Sequence, residues 1–313
     1  MAKAVGIDLG GTFIKFGLVG RNGSILKQGQ KESGGEKGRE EVLLRMEEAI
    51  KEAISGARLS EIKGIGIGTP GLVNSEGTVF LAPNLPKWNN VPLAKIFREK
   101  FSLPVKVEND VNTITWGEYL FGAGKGFRTV VCITLGTGLG GGVVVNGKLL
   151  RGENYSAVEL GHITINAKGP RCGCGNKGCV ESYVGSARIV ARVKRYLKKN
   201  HASIIPELVN HDLKKITPKI ISEAYQKGDR LAARIWKETG ADVGVMLADL
   251  VNVFNPEAII IGGGVAQAGE PLFSAIKVEI IKRAFPLLSK NIKILPASLG
   301  QESGIKAAAA LVF

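Results

Sequence analysis

Apolar positions along the chain fall into short runs closed by glycine-rich turns, with longer stretches of helical spacing between them. Ala4–Ile7 is one apolar run and Phe13–Val19 a second. Asn22-Gly23 is the turn expected to lead into a third at Ile25-Leu26, because both positions of an Asn-Gly hairpin tolerate positive φ. The same order recurs downstream. Ile133-Thr134-Leu135 runs into Gly136-Thr137-Gly138, then Val143–Val145, then Asn146-Gly147 and Lys148–Leu150. The recurrence predicts two similar sheet domains facing each other. Arg39–Ile54 carries Val42, Leu43, Met46, Ala49, Ile50 and Ala53 on one helical stripe. Lys63–Gly68, Val105–Val107 and Ala258–Ile261 read as strands. Pro92–Phe101, Val111–Leu120, Glu181–Asn200, Asp229–Val253 and Gln301–Val312 read as helices. This alternation predicts an α/β protein whose parallel or mixed sheets are joined by crossover helices. The boundary between halves falls in the 110–125 region, giving domains 1–115 and 116–300. The terminal helix, 301–313, is a candidate to pack back on the first half.

Composition narrows this picture. The chain has 313 residues, 44% hydrophobic and 22% charged, enough apolar content for a large interior and too much for a disordered chain. The formal charge of +14 suggests anionic partners, but the Lys and Arg are spread along the whole chain, as on a solvated surface. No apolar run approaches the ~20 residues that span a bilayer, so no membrane partner is expected. Met-Ala-Lys leads straight into the first strand with no targeting pattern. Three of the four cysteines, Cys172, Cys174 and Cys179, fall within eight positions, which points to metal rather than disulfides and to a reducing, cytoplasmic setting. Cys132 sits inside an apolar strand and reads as inert.

Candidate chemistry lies mostly at strand ends. Gly10-Gly11-Thr12 and Gly136-Thr137-Gly138 each follow a strand and lead into another, unlike a Walker loop or a Gly-x-Gly-x-x-Gly turn, which open helices. Each alone is as consistent with an ordinary turn. As a facing pair, their N–H groups could clamp a triphosphate. Asp8, beside the first loop, reads as a turn cap or as an oxygen donor toward Mg²⁺. Gly262-Gly263-Gly264 follows a buried strand and leaves a flat gap for a base or ribose, or simply a tight turn. Asn109-Asp110 ends a strand and opens a helix. Asp110 there reads as an N-cap or as a base placed where α/β sheets bind ligands. His162 with Cys172, Cys174 and Cys179 offers one nitrogen and three sulfurs, a closed tetrahedral set expected to hold a structural Zn²⁺. Glu159 and Glu181 bracket that cluster.

In order, the pieces Asp8-Leu-Gly-Gly-Thr12, Gly68-Thr-Pro-Gly71, Glu108-Asn-Asp110, Leu135-Gly-Thr-Gly-Leu-Gly-Gly141, Glu159-Leu-Gly-His162, Cys172-x-Cys-Gly-x-x-Gly-Cys179-x-Glu181 and Ile261-Gly-Gly-Gly264 span the chain. The set resembles the ROK family of sugar kinases and sugar-responsive repressors, its ATP-dependent glucokinases most of all. The resemblance implies a two-domain, actin-like fold of the hexokinase and Hsp70 type with an interdomain cleft. The implied activity is transfer of a phosphoryl group from ATP to the 6-hydroxyl of a hexose, glucose first, with fructose, mannose, allose or an N-acetylhexosamine as alternatives. Asp110 would be the base. Gly71, Asn84, Asn109, Glu159, His162 and Glu181 would hold the sugar. Asp8, Gly10, Gly11, Thr12, Gly136, Thr137, Gly138, Gly262 and Gly263 would hold the nucleotide and its Mg²⁺. A homodimer or homotetramer is implied. A DNA-reading module would have to precede the first strand, which starts at Lys3, so no nucleic-acid partner is expected. Tyr155-Ser-Ala-Val158 departs from the family's Gly-rich approach to Glu159, which bears on the wall of the sugar pocket.

Overall fold

A computed structural model describes residues 2–82, 85 and 88–313 of the protein. The strands among them are β1 (Lys3–Leu9), β2 (Phe13–Gly20), β3 (Ile25–Glu32), β4 (Ile62–Thr69), β5 (Leu72–Val73), β6 (Val79–Leu81), β7 (Asn89–Val91), β8 (Val105–Asn109), β9 (Val130–Leu135), β10 (Leu139–Val145), β11 (Lys148–Leu149), β12 (Ala258–Gly262) and β13 (Lys293–Pro296). Two compact units divide the chain. The first is Met1–Phe127, Lys148–Val158 and Ala297–Phe313; the second is Arg128–Gly147 and Glu159–Pro296.

The first unit is built on the sheet β3-β2-β1-β4-β8, with β5–β7 as a small separate sheet. β1 and β2 pair antiparallel, while β1-β4 and β4-β8 are parallel. The stripe read on Arg39–Ile54 is buried at Val42, Met46, Ala49, Ile50 and Ala53, facing a core that includes Phe16, Trp88 and Phe97. Burial of one such aromatic side chain contributes about 1.5–3 kcal/mol. Against β1 and β4 lies the C-terminal helix Ser303–Ala310, whose Ala307–Ala310 are buried. The approach is close enough that a Cβ at Gly66 would collide with the Ala308 carbonyl. Small residues on both sides permit that contact.

The helix Asp110–Phe121 is clamped to the same C-terminal segment. Buried Glu118 accepts bonds from the N–H groups of Ser298 and Leu299, both at 2.9 Å, and Trp116 Nε1 donates to the Ala310 carbonyl at 3.1 Å. Bonds to a carboxylate contribute about 1.5–3 kcal/mol each. This clamp is why the first unit runs past residue 115 to Phe127 and takes in the end of the chain.

In the second unit, β10-β9-β12-β13 repeats the plan of β2-β1-β4-β8, an antiparallel hairpin followed by two parallel strands. The faint repeat in the sequence is therefore a repeat of topology. Its two Asn-Gly turns differ, however. Asn146 and Gly147 both stand at positive φ, 50° and 77°, the two-residue turn expected. At the first turn only Gly23 does, and the β2–β3 register shifts at Leu18/Val19, so that turn carries a bulge instead. The expected helix 181–200 is also broken, into Glu181–Val184 and Ser186–Leu197, because Gly185 packs on the Thr137 carbonyl. The helix Arg230–Phe254 supplies the long buried spine of the unit. Among the described residues no helix is long and apolar enough to cross a membrane.

Candidate active site

Parallel strands align their carboxyl ends, and in the first unit those ends collect Asp8, Gly71, Asn109 and Asp110. The cap of the helix Asp110–Phe121 is Asn109. Its Oδ1 accepts from Val111 N at 2.9 Å and Asn112 N at 3.2 Å, and its Nδ2 donates to the Gly71 carbonyl at 3.1 Å. That leaves the Asn109 amide one N–H for any further partner. Asp110, half-buried, is the first helical residue, and its Oδ1 shares the Val111 N–H at 2.9 Å. Capping, the alternative role for Asp110, is thus done chiefly by its neighbour.

Asp8 lies near enough to Asp110 for the two charges to interact. Burial raises the Asp8 pKa, Lys15 opposes that shift, and Asp110 adds to it. Gly304 leaves room for this carboxylate, since a Cβ there would collide with it. The loop Gly10-Gly11-Thr12 is pinned by Gly10 N to Phe13 O at 2.9 Å and by Ser33 Oγ to Gly11 O at 2.6 Å, with Gly11 and Thr12 exposed. Asn84 lies outside the described residues.

An ionised Asp8 opposes folding. Its folded pKa stands above the unfolded one, so its contribution falls as pH rises through the interval between them, and the full cost is present above that interval. Asp8→Asn is therefore expected to raise the melting temperature by a few degrees at pH above that interval. A lower melting temperature in calorimetry would contradict this.

The second unit gathers the other group. Gly136-Thr137-Gly138 joins β9 to β10, and both the N–H and Oγ of Ser186 donate to the Gly136 carbonyl, at 2.9 and 2.6 Å. Glu181 Oε2 accepts from Leu139 N at 3.0 Å, in space that Gly138 leaves open. Gly263 packs on the end of β9 at Leu135, which sets Gly262-Gly263 beside the start of the loop. Glu159, exposed, precedes the single turn Leu160–His162, which Leu160 anchors in the interior.

His162, Cys172, Cys174 and Cys179 converge, with ligand atoms all within 4.8 Å of one another. His162 Nδ1 and Cys172 Sγ are 3.6 Å apart, and Cys174 Sγ and Cys179 Sγ 3.7 Å. A tetrahedron with Zn–S bonds of about 2.3 Å and a Zn–N bond of about 2.0 Å has edges of roughly 3.5–3.8 Å, so the donor set fits zinc. Glu181 touches the cluster as well, with Cys172 Sγ 4.0 Å from Oε1. One carboxylate thus links the cysteine loop to the Gly136–Gly138 loop.

Beside Ser186 opens a cavity of about 420 Å³ lined by Ala187, Val190, Ala191, Lys194, Ile216, Thr217 and Pro218. Sequence reading did not single out these residues. Ala187, Val190 and Ala191 on the helix Ser186–Leu197 look like any core stripe, Ile216–Pro218 look like an ordinary helix start, and only their place beside the loop sets them apart.

A sequence model of the ROK family matches residues 4–313. The chain belongs to that family. It is 37% identical over 311 residues to the glucokinase of Thermotoga maritima, covering 99% of this chain and 97% of that protein. It is 34% identical over 315 residues to a xylose repressor of Caldicellulosiruptor bescii, covering all of this chain and 78% of the repressor. The crystal structure of a ROK family glucokinase from Streptomyces griseus, in complex with glucose and AMPPNP, superposes with a TM-score of 0.81 at 36% identity and 99% coverage of both chains. The two-domain, actin-like α/β fold of the ROK sugar kinases is therefore the fold of this chain.

Proposed function

We propose that this ROK chain phosphorylates glucose at its 6-hydroxyl with ATP as donor. The observation that carries the reading is Asp110: a half-buried carboxylate at a strand's carboxyl end, beside a helix cap that Asn109 makes with two N–H groups and Asp110 shares at only one of them. Likeness to glucokinases, one of them bound to glucose and an ATP analogue, supports the choice of donor and acceptor.

The chemistry asks little covalent help from protein. Phosphoryl transfer needs in-line positioning, a base for the hydroxyl proton and neutralisation of phosphate charge. Asp110 takes the proton. N–H groups of the Gly10–Thr12 loop and of the Gly136–Gly138 loop would each serve phosphate oxygens, and the cavity beside Ser186 would take the nucleoside. Asp8 would hold Mg²⁺ through water, and the ion when bound neutralises phosphate charge. Asn109, Glu159, His162 and Glu181 accept and donate to sugar hydroxyls. A site of this kind rejects an inverted hydroxyl strongly, because the mismatch leaves buried polar groups unpaired. The His162–Cys179 cluster would hold zinc and keep His162 and Glu181 in register.

The test is a panel of hexoses with ATP and Mg²⁺, scored by ADP release and by identifying the product. Glucose is expected to turn over fastest and to yield glucose 6-phosphate. A sugar that binds without ADP release, across the whole panel, would instead favour a sugar-responsive regulator, the reading that likeness to xylose repressors supports.

A further inference from the structure

The segment 151–158 carries a strained backbone. Gly152, Tyr155 and Val158 stand at φ of 72°, 60° and 74°. Among the described non-glycine residues at positive φ, five are asparagine, and Val158 alone is β-branched. Left-handed backbone crowds a Cβ against its own carbonyl, and a second branch worsens the crowding. Such a conformation persists only where neighbouring contacts impose it.

The contacts that tie this segment down start at Arg151. Its carbonyl accepts from Ala157 N at 3.0 Å, which closes the base of the segment. Its Nε donates to Glu108 Oε2 at 2.6 Å, and its guanidinium lies 5.9 Å from the Tyr155 ring centroid. Glu108 is 4% exposed, and its other oxygen accepts from Asn109 N at 3.1 Å and Asn112 Nδ2 at 3.2 Å. The anchor is therefore the β8–helix junction that carries Asp110. All of these residues belong to the first unit. The residue that follows Val158 in the chain is Glu159. Beyond it, Leu160 is buried against Gly141 and cannot easily follow a rotation.

We infer that Arg151 is a positioning residue: its ion pair with Glu108 holds Val158 at positive φ and so sets Glu159 to receive the hexose. The inference rests on the kinase reading for the role of Glu159. Without the ion pair, Val158 relaxes to negative φ. The peptide between Val158 and Glu159 turns, and because Leu160 stays fixed the displacement falls on the Glu159 carboxylate. A glycine at 158 has no preference for negative φ and breaks that chain of effects.

Four proteins test it: the unaltered chain, Arg151→Gln, Val158→Gly and the double variant. Arg151→Gln should raise the KM for glucose about 10-fold, the size of one lost charge-assisted hydrogen bond, and leave the KM for ATP within about twofold. The double variant should recover to within about threefold of the unaltered chain. Arg151→Lys, which keeps the charge, should lose less than Arg151→Gln. If Arg151→Gln does not fold, Glu108→Gln in the same cycle should reproduce the shift and be rescued by Val158→Gly.

Hydrogen exchange of the Ala157–Leu160 amides reads the tie without kinase activity. It should speed up in Arg151→Gln and return toward normal in the double variant. A double variant as impaired as Arg151→Gln, or equal rises in both KM values, overturns the inference. If the unaltered chain phosphorylates no hexose, the kinase reading falls, and the exchange data alone decide whether Arg151 holds Val158.

Discussion

Asp110→Asn is expected to bind glucose about as tightly as the unaltered protein and to phosphorylate it at least ~10²-fold more slowly, the usual loss when a general base is removed. The substitution keeps volume and keeps an oxygen for the Val111 N–H, now 2.9 Å from Oδ1. It leaves the helix cap on Asn109 undisturbed, so stability should change by less than ~1 kcal/mol. What goes is the negative charge, and with it the ability to take a proton. Glucose binding by calorimetry, beside ADP release under saturating substrate, separates the two effects. Turnover near that of the unaltered protein would remove Asp110 from the base role and the hexose-kinase reading with it.

Cys179→Ser is expected to lose bound metal and, with it, sugar recognition. Cys179 is fully buried, and burial, with the neighbouring thiols adding to it, pushes its pKa up to about 12. The thiol is thus protonated at neutral pH until a cation displaces the proton. Metal uptake must release protons, and zinc affinity should rise as pH rises. Cys174, exposed, is shifted the other way, first by the Asn176 backbone N–H, and gives up its proton more readily. Elemental analysis should find about one zinc per unaltered chain and far less in Cys179→Ser. The KM for glucose should rise roughly 10–100-fold, the range for lost metal-shell support, because His162 and Glu181 lose their anchor. A zinc-free protein with an unchanged KM for glucose would sever the cluster from sugar binding.

Much of this molecule was legible in the residues alone because its signals are local. Apolar runs, glycine-rich turns and the Arg39–Ile54 stripe each reflect a few neighbouring residues, and they reappear as β1, β2, β9, β10 and the first helix. Cys172, Cys174 and Cys179 stand close enough in the chain that spacing alone brought them near one another, and His162 joined them through the same short loop. The roles of residues at strand ends were less legible. Asn109 and Asp110 share one turn and one chemistry, and only coordinates show that the cap is Asn109.

The sequence by itself determined the α/β class and the duplicated hairpin plan, and it singled out the His162–Cys179 cluster and the candidate base, because each rests on periodicity or on residues close in the chain. Tertiary structure alone decided the rest. It broke the helical pattern at Gly185 against Thr137 and drew the last seventeen residues into the first unit through Glu118. It also opened the cavity beside Ser186 and paired Arg151 with Glu108 across 43 positions. Those features arise from contacts between distant segments, where a side chain's partner depends on packing that no local pattern encodes.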